Sequence, residues 1–399
     1  MSKLRARSVL LPLAALQLIT GCASSNVIST DTPPVQTDTN LDPCAATDVD
    51  MLFMIDNSGS MREEQENLIR ELPRMVQALT TGDRDDDGTV DFAPIRSLHM
   101  GFITSDMGSG NQMGVPTCAP GLGDDGLLRR TSASEAPCMP TYPSGTFAFG
   151  PSDDLREFID TVSCVASVGT EGCGFEQQLE APLKALTPSN PEIWTRAGYV
   201  PSRFYDSESG LPDQLAGHGS NANAGFLRPD STLAIVLLTD EEDCSLTDYR
   251  LIGGEEPVAS VPPNVRCSIF ASDHAVIHPV ARYVHGFVGL RRSPSQLVFS
   301  VIAGIPIETE QAAADGDFVS VLAHPDMTPR IDESGTSPVP SCMSRNGSAH
   351  PPIRMVETAA QLNALGANVS VSSICNRTFT APITDIIGRI SSAIPATCR

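Results

Sequence analysis

Basic residues are scarce. The 399-residue chain has 26 Lys and Arg against 48 Asp and Glu, a formal net charge of −22. A surface of that sign argues against nucleic acid or anionic lipid headgroups as partners. It suits cations or a basic surface, and it equally serves the solubility of an exported protein. Long apolar runs are missing as well: no segment offers about 18 uninterrupted apolar residues, so none reads as a membrane span. There is no H-E-x-x-H, no G-x-S-x-G, no phosphate-binding glycine loop, no C-x-x-C and no Cys/His spacing of a zinc site. His274 and His278 share only a helical spacing and read as core or surface histidines. With those signatures absent, the chain reads as a binding protein and not as an enzyme.

What is present starts with a leader. Lys3, Arg5 and Arg7 precede the apolar stretch 9–19, which is too short to span a bilayer comfortably. Ile19-Thr20-Gly21-Cys22 then looks like a bacterial lipobox, with cleavage before Cys22 and lipid on its sulfur. Residues 1–21 are thus expected to be a lipoprotein signal peptide. Ala23, where an aspartate would retain a lipoprotein at the inner membrane, points by analogy to the outer membrane of the cell envelope. Residues 22–43 are rich in Ser, Thr, Asp, Asn and Pro and read as a disordered, lipidated tether.

Residues 49–60 read Val-Asp-Met-Leu-Phe-Met-Ile-Asp-Asn-Ser-Gly-Ser. A buried strand runs into Asp56-x-Ser58-x-Ser60, and an amphipathic helix follows with Leu68, Ile69, Leu72, Met75, Val76 and Leu79 on one stripe. One carboxylate and two hydroxyls at such a junction are hard oxygen ligands, suited to Mg²⁺, Mn²⁺ or Ca²⁺. The bland alternative is that Ser58 and Ser60 cap the helix and that Asp240, at the end of the apolar run 231–239, starts another. Further strands are expected at 98–104, 147–149 (a short edge), 231–239, 297–303 and 369–374. Helices are expected at 153–168, 176–186, 277–290, 353–365 and 383–394. Strands alternating with helices imply an α/β domain whose mostly parallel sheet is covered on both faces. Three stretches, 108–145, 190–228 and 313–351, read as inserted loops. They either carry partner recognition or decorate an enlarged domain.

On these residues the chain resembles the von Willebrand factor A domain and its metal-ion-dependent adhesion site, in a bacterial, cysteine-stapled form. That family carries D-x-S-x-S after the first strand, then a threonine and an aspartate on two later loops. The matching positions are Thr170, in Ser-Val-Gly-Thr-Glu-Gly-Cys-Gly-Phe-Glu, and Asp240, in Leu-Ala-Ile-Val-Leu-Leu-Thr-Asp-Glu-Glu-Asp. The resemblance covers the domain at 44–399 and implies a doubly wound, Rossmann-like sheet. It also implies roles. Ser58 and Ser60 would ligate Mg²⁺ (or Mn²⁺ or Ca²⁺) directly, and Thr170 would join on engagement. Asp56 and Asp240 would act mostly through bound water. One position would stay open for a carboxylate or other oxygen of a protein partner. The implied function is adhesion or complex assembly by an envelope lipoprotein. The alternatives are a metal-dependent hydrolase in the same acidic pocket, for which no general base is visible, and a structural envelope component with a fold-stabilising metal.

A second acidic cluster has Asp83, Asp85 and Asp87 in alternation, Gly88 at the turn and Asp91 at the ninth position. It resembles the start of an EF-hand loop but has Pro94 where the twelfth-position glutamate belongs. It reads either as a Ca²⁺-stabilised loop or as a solvated acidic turn. Of 11 cysteines, lipidated Cys22 leaves ten, an even number that suits a disulfide framework outside the cytoplasm. Sequence proximity and the expected fold favour Cys44–Cys398, Cys118–Cys138, Cys164–Cys173, Cys244–Cys267 and Cys342–Cys375.

Overall fold

The run Met51–Ile55 has no polar member, and a strand of that kind is stable only where both of its faces are covered. In the computed structural model, which describes residues 47–133, 142–192, 195–254, 258–345 and 347–394, this strand lies inside the sheet. The strands are β1 (Asp48–Ile55), β2 (Ser97–Thr104), β3 (Phe147–Phe149), β4 (Phe204–Asp206), β5 (Leu211–Leu215), β6 (Thr232–Leu238), β7 (Leu297–Ala303), β8 (Cys342–Met343), β9 (Ser348–Ala349) and β10 (Asn368–Ser373). Six of them form one sheet in the order β10-β7-β6-β1-β2-β3, parallel except for the antiparallel edge strand β3. Pairs β4–β5 and β8–β9 are small antiparallel ribbons.

The helices are α1 (Arg62–Thr81), α2 (Leu155–Val165), α3 (Glu180–Leu186), α4 (Arg250–Gly253), α5 (Arg266–Phe270), α6 (Val280–Gly289), α7 (Glu310–Ala314), α8 (Phe318–Leu322), α9 (Ile353–Ala364) and α10 (Thr380–Ala393). Alternation along β1 sends Met51, Phe53 and Ile55 into a core with α1, α2 and α10. Leu52 and Met54 enter a second core with α3, α6 and α9. The sheet is therefore covered on both faces. Among the described residues no helix is long and apolar enough to cross a membrane.

From β1 the chain moves outward to β2 and β3, then crosses back to β6, β7 and β10 on the other side. The strand order thus reverses between β1 and β6, and a crevice opens outside the carboxyl ends of parallel strands at such a point. The opposite end of β1 is closed by charge. Buried Asp50 accepts from Arg228 N at 2.6 Å, Arg228 Nε at 2.7 Å and the Ser231 hydroxyl at 2.5 Å.

Element positions follow the sequence pattern closely, with informative differences. The helix expected at 176–186 begins only at Glu180, because residues 176–179 are bonded to other segments instead. The helix expected at 277–290 begins at Val280, after Pro279 at its cap position. The stretch 313–351 is not all loop: it holds α8, and Phe318, Val321 and Met327 belong to the second core.

Cys244–Cys267 and Cys342–Cys375 are disulfides, as expected. Cys118 pairs with Cys173, with Cα atoms 4.2 Å apart, and this corrects both Cys118–Cys138 and Cys164–Cys173. Sequence proximity misled here because the loop after β2 doubles back on itself. Ser109 N–H bonds Ala119 O, Gly110 and Gly121 exchange backbone bonds, and Gly174 N–H then reaches the Thr117 hydroxyl at 3.1 Å. That fold-back carries Cys118 across to Cys173. Cys164 is also disulfide-bonded. Cys22, the tether at 22–43 and the Cys44–Cys398 pair lie outside the described residues.

Candidate metal centre

β1 and β6 are in register, with Ile55 opposite Leu238, and each strand delivers an acid just beyond its carboxyl end. Asp56 is fully buried and held at both oxygens. Its Oδ1 accepts from Ser58 N at 2.8 Å and from the Ser105 hydroxyl at 3.4 Å, and its Oδ2 accepts from the Thr239 hydroxyl at 2.6 Å. Asp240 is 5 % exposed, and its Oδ1 is buried with no partner among the described residues. A buried oxygen without a partner costs about 1–3 kcal/mol, more when charged. The Ser58 and Ser60 hydroxyls stand 3.4 Å apart. Neither caps the following helix: Met61 occupies the cap position and no side chain bonds the free N–H groups there. The two serines are thus left with the acids.

The third wall of the site is the segment before α3. Gln177 N–H bonds Ser105 O at the end of β2, and Cys244 N–H bonds Glu176 O at 2.8 Å. Gln178 Nε2 donates to the Thr239 hydroxyl at 3.0 Å, so Gln178, Thr239 and Asp56 form one chain of hydrogen bonds. Leu179 N–H bonds Asp243 Oδ1 at 2.9 Å. These bonds bring Glu176, 6 % exposed, to the Asp56–Asp240 pair. Thr170 lies on the loop that precedes this segment. Its loop docks on Asn57, through Gly172 N–H to Asn57 O, and on Gln65, through Nε2 to Gly169 O at 2.8 Å. Thr170 lines a cavity of about 770 Å³ with Asn57, Asp106 and Asp124, a lining that includes neither serine nor Asp240. The structure therefore brings Asp56, Ser58, Ser60 and Asp240 together and puts Glu176 beside them, with Thr170 on the neighbouring cavity. Sequence spacing did not single out Thr239, Gln178 or Glu176. Only the Gly-Cys-Gly run before Glu176 marked a tight turn there.

The electrostatics are those of acids crowded out of water. Burial, then the charge of Asp56, pushes Asp240 up to about 8. Burial raises Glu64 to about 7, and it lifts Asp56 against the hydrogen bonds that favour its charged form. Glu176 is raised well above the usual carboxylate range by burial and by Asp56, Glu241 and Asp240. A hard divalent cation relieves this crowding, and the donor set fits one: carboxylates, two hydroxyls and the orphaned Asp240 Oδ1.

Beside the centre, Arg354 Nε bonds buried Asp243 at 2.9 Å, and Arg354 Nη2 bonds His278 O at 2.7 Å. Burial raises Glu242 to about 8, although its carboxylate accepts from Asp243 N and Arg354 N. His278 is buried, with its Nε2 3.8 Å from Glu180, whereas His274 is exposed, so the two share no site.

In the acidic loop, carboxyl oxygens of Asp83, Asp85 and Asp87 lie within 4.8 Å of one another. Asp83 already accepts from Asp86 N, Asp87 N and Gly88 N, and Asp91 turns away to accept from Arg84 N at 2.9 Å. The three carboxylates converge without Asp91. A similar group, Glu308, His324 and Asp326, was not anticipated, and its Asp326 is held by Arg330 at 2.7 Å.

Compared with known proteins, the chain matches no family profile and no curated protein.

Proposed function

We propose that this is a lipid-anchored envelope protein with a doubly wound domain of the von Willebrand factor A type, and that it binds a protein partner through a divalent cation held at Asp56, Ser58, Ser60 and Asp240. The observation that carries this reading is the pairing of two buried acids at the adjacent ends of β1 and β6, with Asp240 Oδ1 left without a partner. The site lies where the strand order reverses, the usual place for ligands in open parallel sheets.

A bound Mg²⁺, Mn²⁺ or Ca²⁺ supplies a positive, oxygen-seeking point to which a partner's oxygen adds. The chain's own residues do the rest. Thr239 and Ser58 N–H fix the Asp56 carboxylate. The Ser60 hydroxyl stands 3.4 Å from that of Ser58, so the two can ligate one ion. Gln178 ties the third segment to Thr239. Thr170 lines a cavity with Asn57, the neighbour of Asp56 and Ser58, where an approaching partner can meet it. The acidic loop is a second, Ca²⁺-type candidate. Attachment to the outer membrane rests on the lipobox at Cys22, and the balance of charge disfavours nucleic acid.

The test is capture of partners from envelope extract with Mg²⁺ against EDTA, using wild type and Ser58→Ala/Ser60→Ala. Mg²⁺-dependent capture lost in a folded double variant supports the reading. Capture indifferent to Mg²⁺ and to both serines sinks it. A variant that unfolds instead marks a fold-stabilising metal.

A further inference from the structure

A cavity of about 630 Å³ opens next to the metal centre, and its wall is acidic: Glu176, Glu241, Glu242 and Asp332 line it, and among the described residues no Lys or Arg does. His350 is on the wall but is already bound to Glu241, Nδ1 to Oε2, at 2.8 Å. Glu176 is more than nine-tenths buried, and among the described residues no other residue hydrogen-bonds its carboxylate. Pro263 and Pro340 add apolar wall to the same space.

Glu241 is already paired with His350, the one basic side chain on this wall among the described residues, so Glu176 faces the cavity without a counter-charge. A partner carboxylate would add to the excess, whereas a cationic group would offset it. The shape agrees: the cavity has acids for a charged head and proline walls for an aliphatic stem, the combination that suits Lys or Arg.

We propose that this cavity binds an ammonium or guanidinium group, supplied by a basic side chain of the protein partner, beside the ion held by Asp56 and Asp240. The inference rests on the partner-binding reading for its source and on the cavity alone for its chemistry. The partner is then recognised by two features together, an oxygen for the metal and a basic side chain for Glu176 and Glu241. This also explains how a strongly acidic protein selects its partner by charge.

The experiment is calorimetry on the full chain in Mg²⁺ with capped Gly-Arg-Gly, its uncharged citrulline counterpart, and spermidine as a free polyamine. The arginine peptide is expected to bind at least about tenfold more tightly than the citrulline peptide. Glu176→Gln, and separately the more exposed Glu241→Gln, should each remove most of that preference while the circular-dichroism spectrum is kept. Equal affinity for the two peptides, or an arginine preference unchanged in both variants, overturns the proposal. Spermidine binding without arginine-peptide binding overturns its assignment to a side chain. Mg²⁺ binding, followed in the same samples, separates the two readings. A wild type that prefers arginine but binds no Mg²⁺ fails the metal reading and leaves the cavity standing.

Discussion

The Thr239 hydroxyl donates to Asp56 Oδ2 at 2.6 Å, from the residue just beyond β6 to the acid just beyond β1. The same hydroxyl accepts from Gln178, so one side chain joins three segments of the centre. Thr239→Val keeps the shape and removes both bonds. It should weaken Mg²⁺ or Mn²⁺ binding by about tenfold, the scale of one hydrogen bond to a charged group. Asp56→Ala or Asp240→Ala should abolish that binding. Calorimetry in a chain with Asp83, Asp85 and Asp87 neutralised reads the centre alone, and equal affinity in wild type and Asp240→Ala would falsify the site.

Cys118 and Cys173 lie 55 residues apart in sequence and form one bridge. Peptide mapping without reduction should recover the 118–173 pair and no 118–138 pair. Replacing both cysteines with alanine should cost roughly 2–5 kcal/mol in denaturant unfolding. The loop bearing Gly172 and Gly174 should also become accessible to protease.

Arg354 is buried against Asp243 and hydrogen-bonds the backbone of His278. Arg354→Met leaves Asp243 as a charge out of water. Urea unfolding should show a loss of about 3–5 kcal/mol. Adding Asp243→Asn should recover part of it, and a strictly additive pair of losses would count against the bridge.

His278 is held below its ordinary value by burial and by Arg282 and Arg354, which outweigh Glu180. The folded chain therefore takes up this proton less readily than the unfolded one. The contribution of His278 to stability is complete above about 6.5, the unfolded value, and is lost as pH falls through the folded one. His278→Gln should remove that slope. The stability difference between wild type and variant should be constant above pH about 7 and change below 6.5. A difference that is flat throughout acid pH would show that His278 does not titrate this way.

The sequence by itself determined the sheet and the strand-end positions of the candidate residues. Strand period, helix stripe and apolar runs are local properties, so β1, β2, β6 and β7 were legible to within about two residues, as were Asp56, Ser58, Ser60 and Asp240 at strand ends. The breaks at Pro279 and before Glu180 were not legible in the same way. An apolar stripe does not announce that its first turn is claimed by bonds to Cys244 and Thr239. Cysteine pairing was read from proximity along the chain, and the fold-back at Ser109–Gly121 made distance along the chain a false guide to distance in space. The third wall shows the same limit. Thr170 and Glu176 stand six residues apart on one glycine-rich turn, and spacing alone cannot say which of them meets Asp240. Tertiary contacts add what spacing lacks: backbone bonds with Ser105 and Cys244 anchor residues 176–177, whereas the Asn57 backbone and the Gln65 side-chain amide hold residues 169–172.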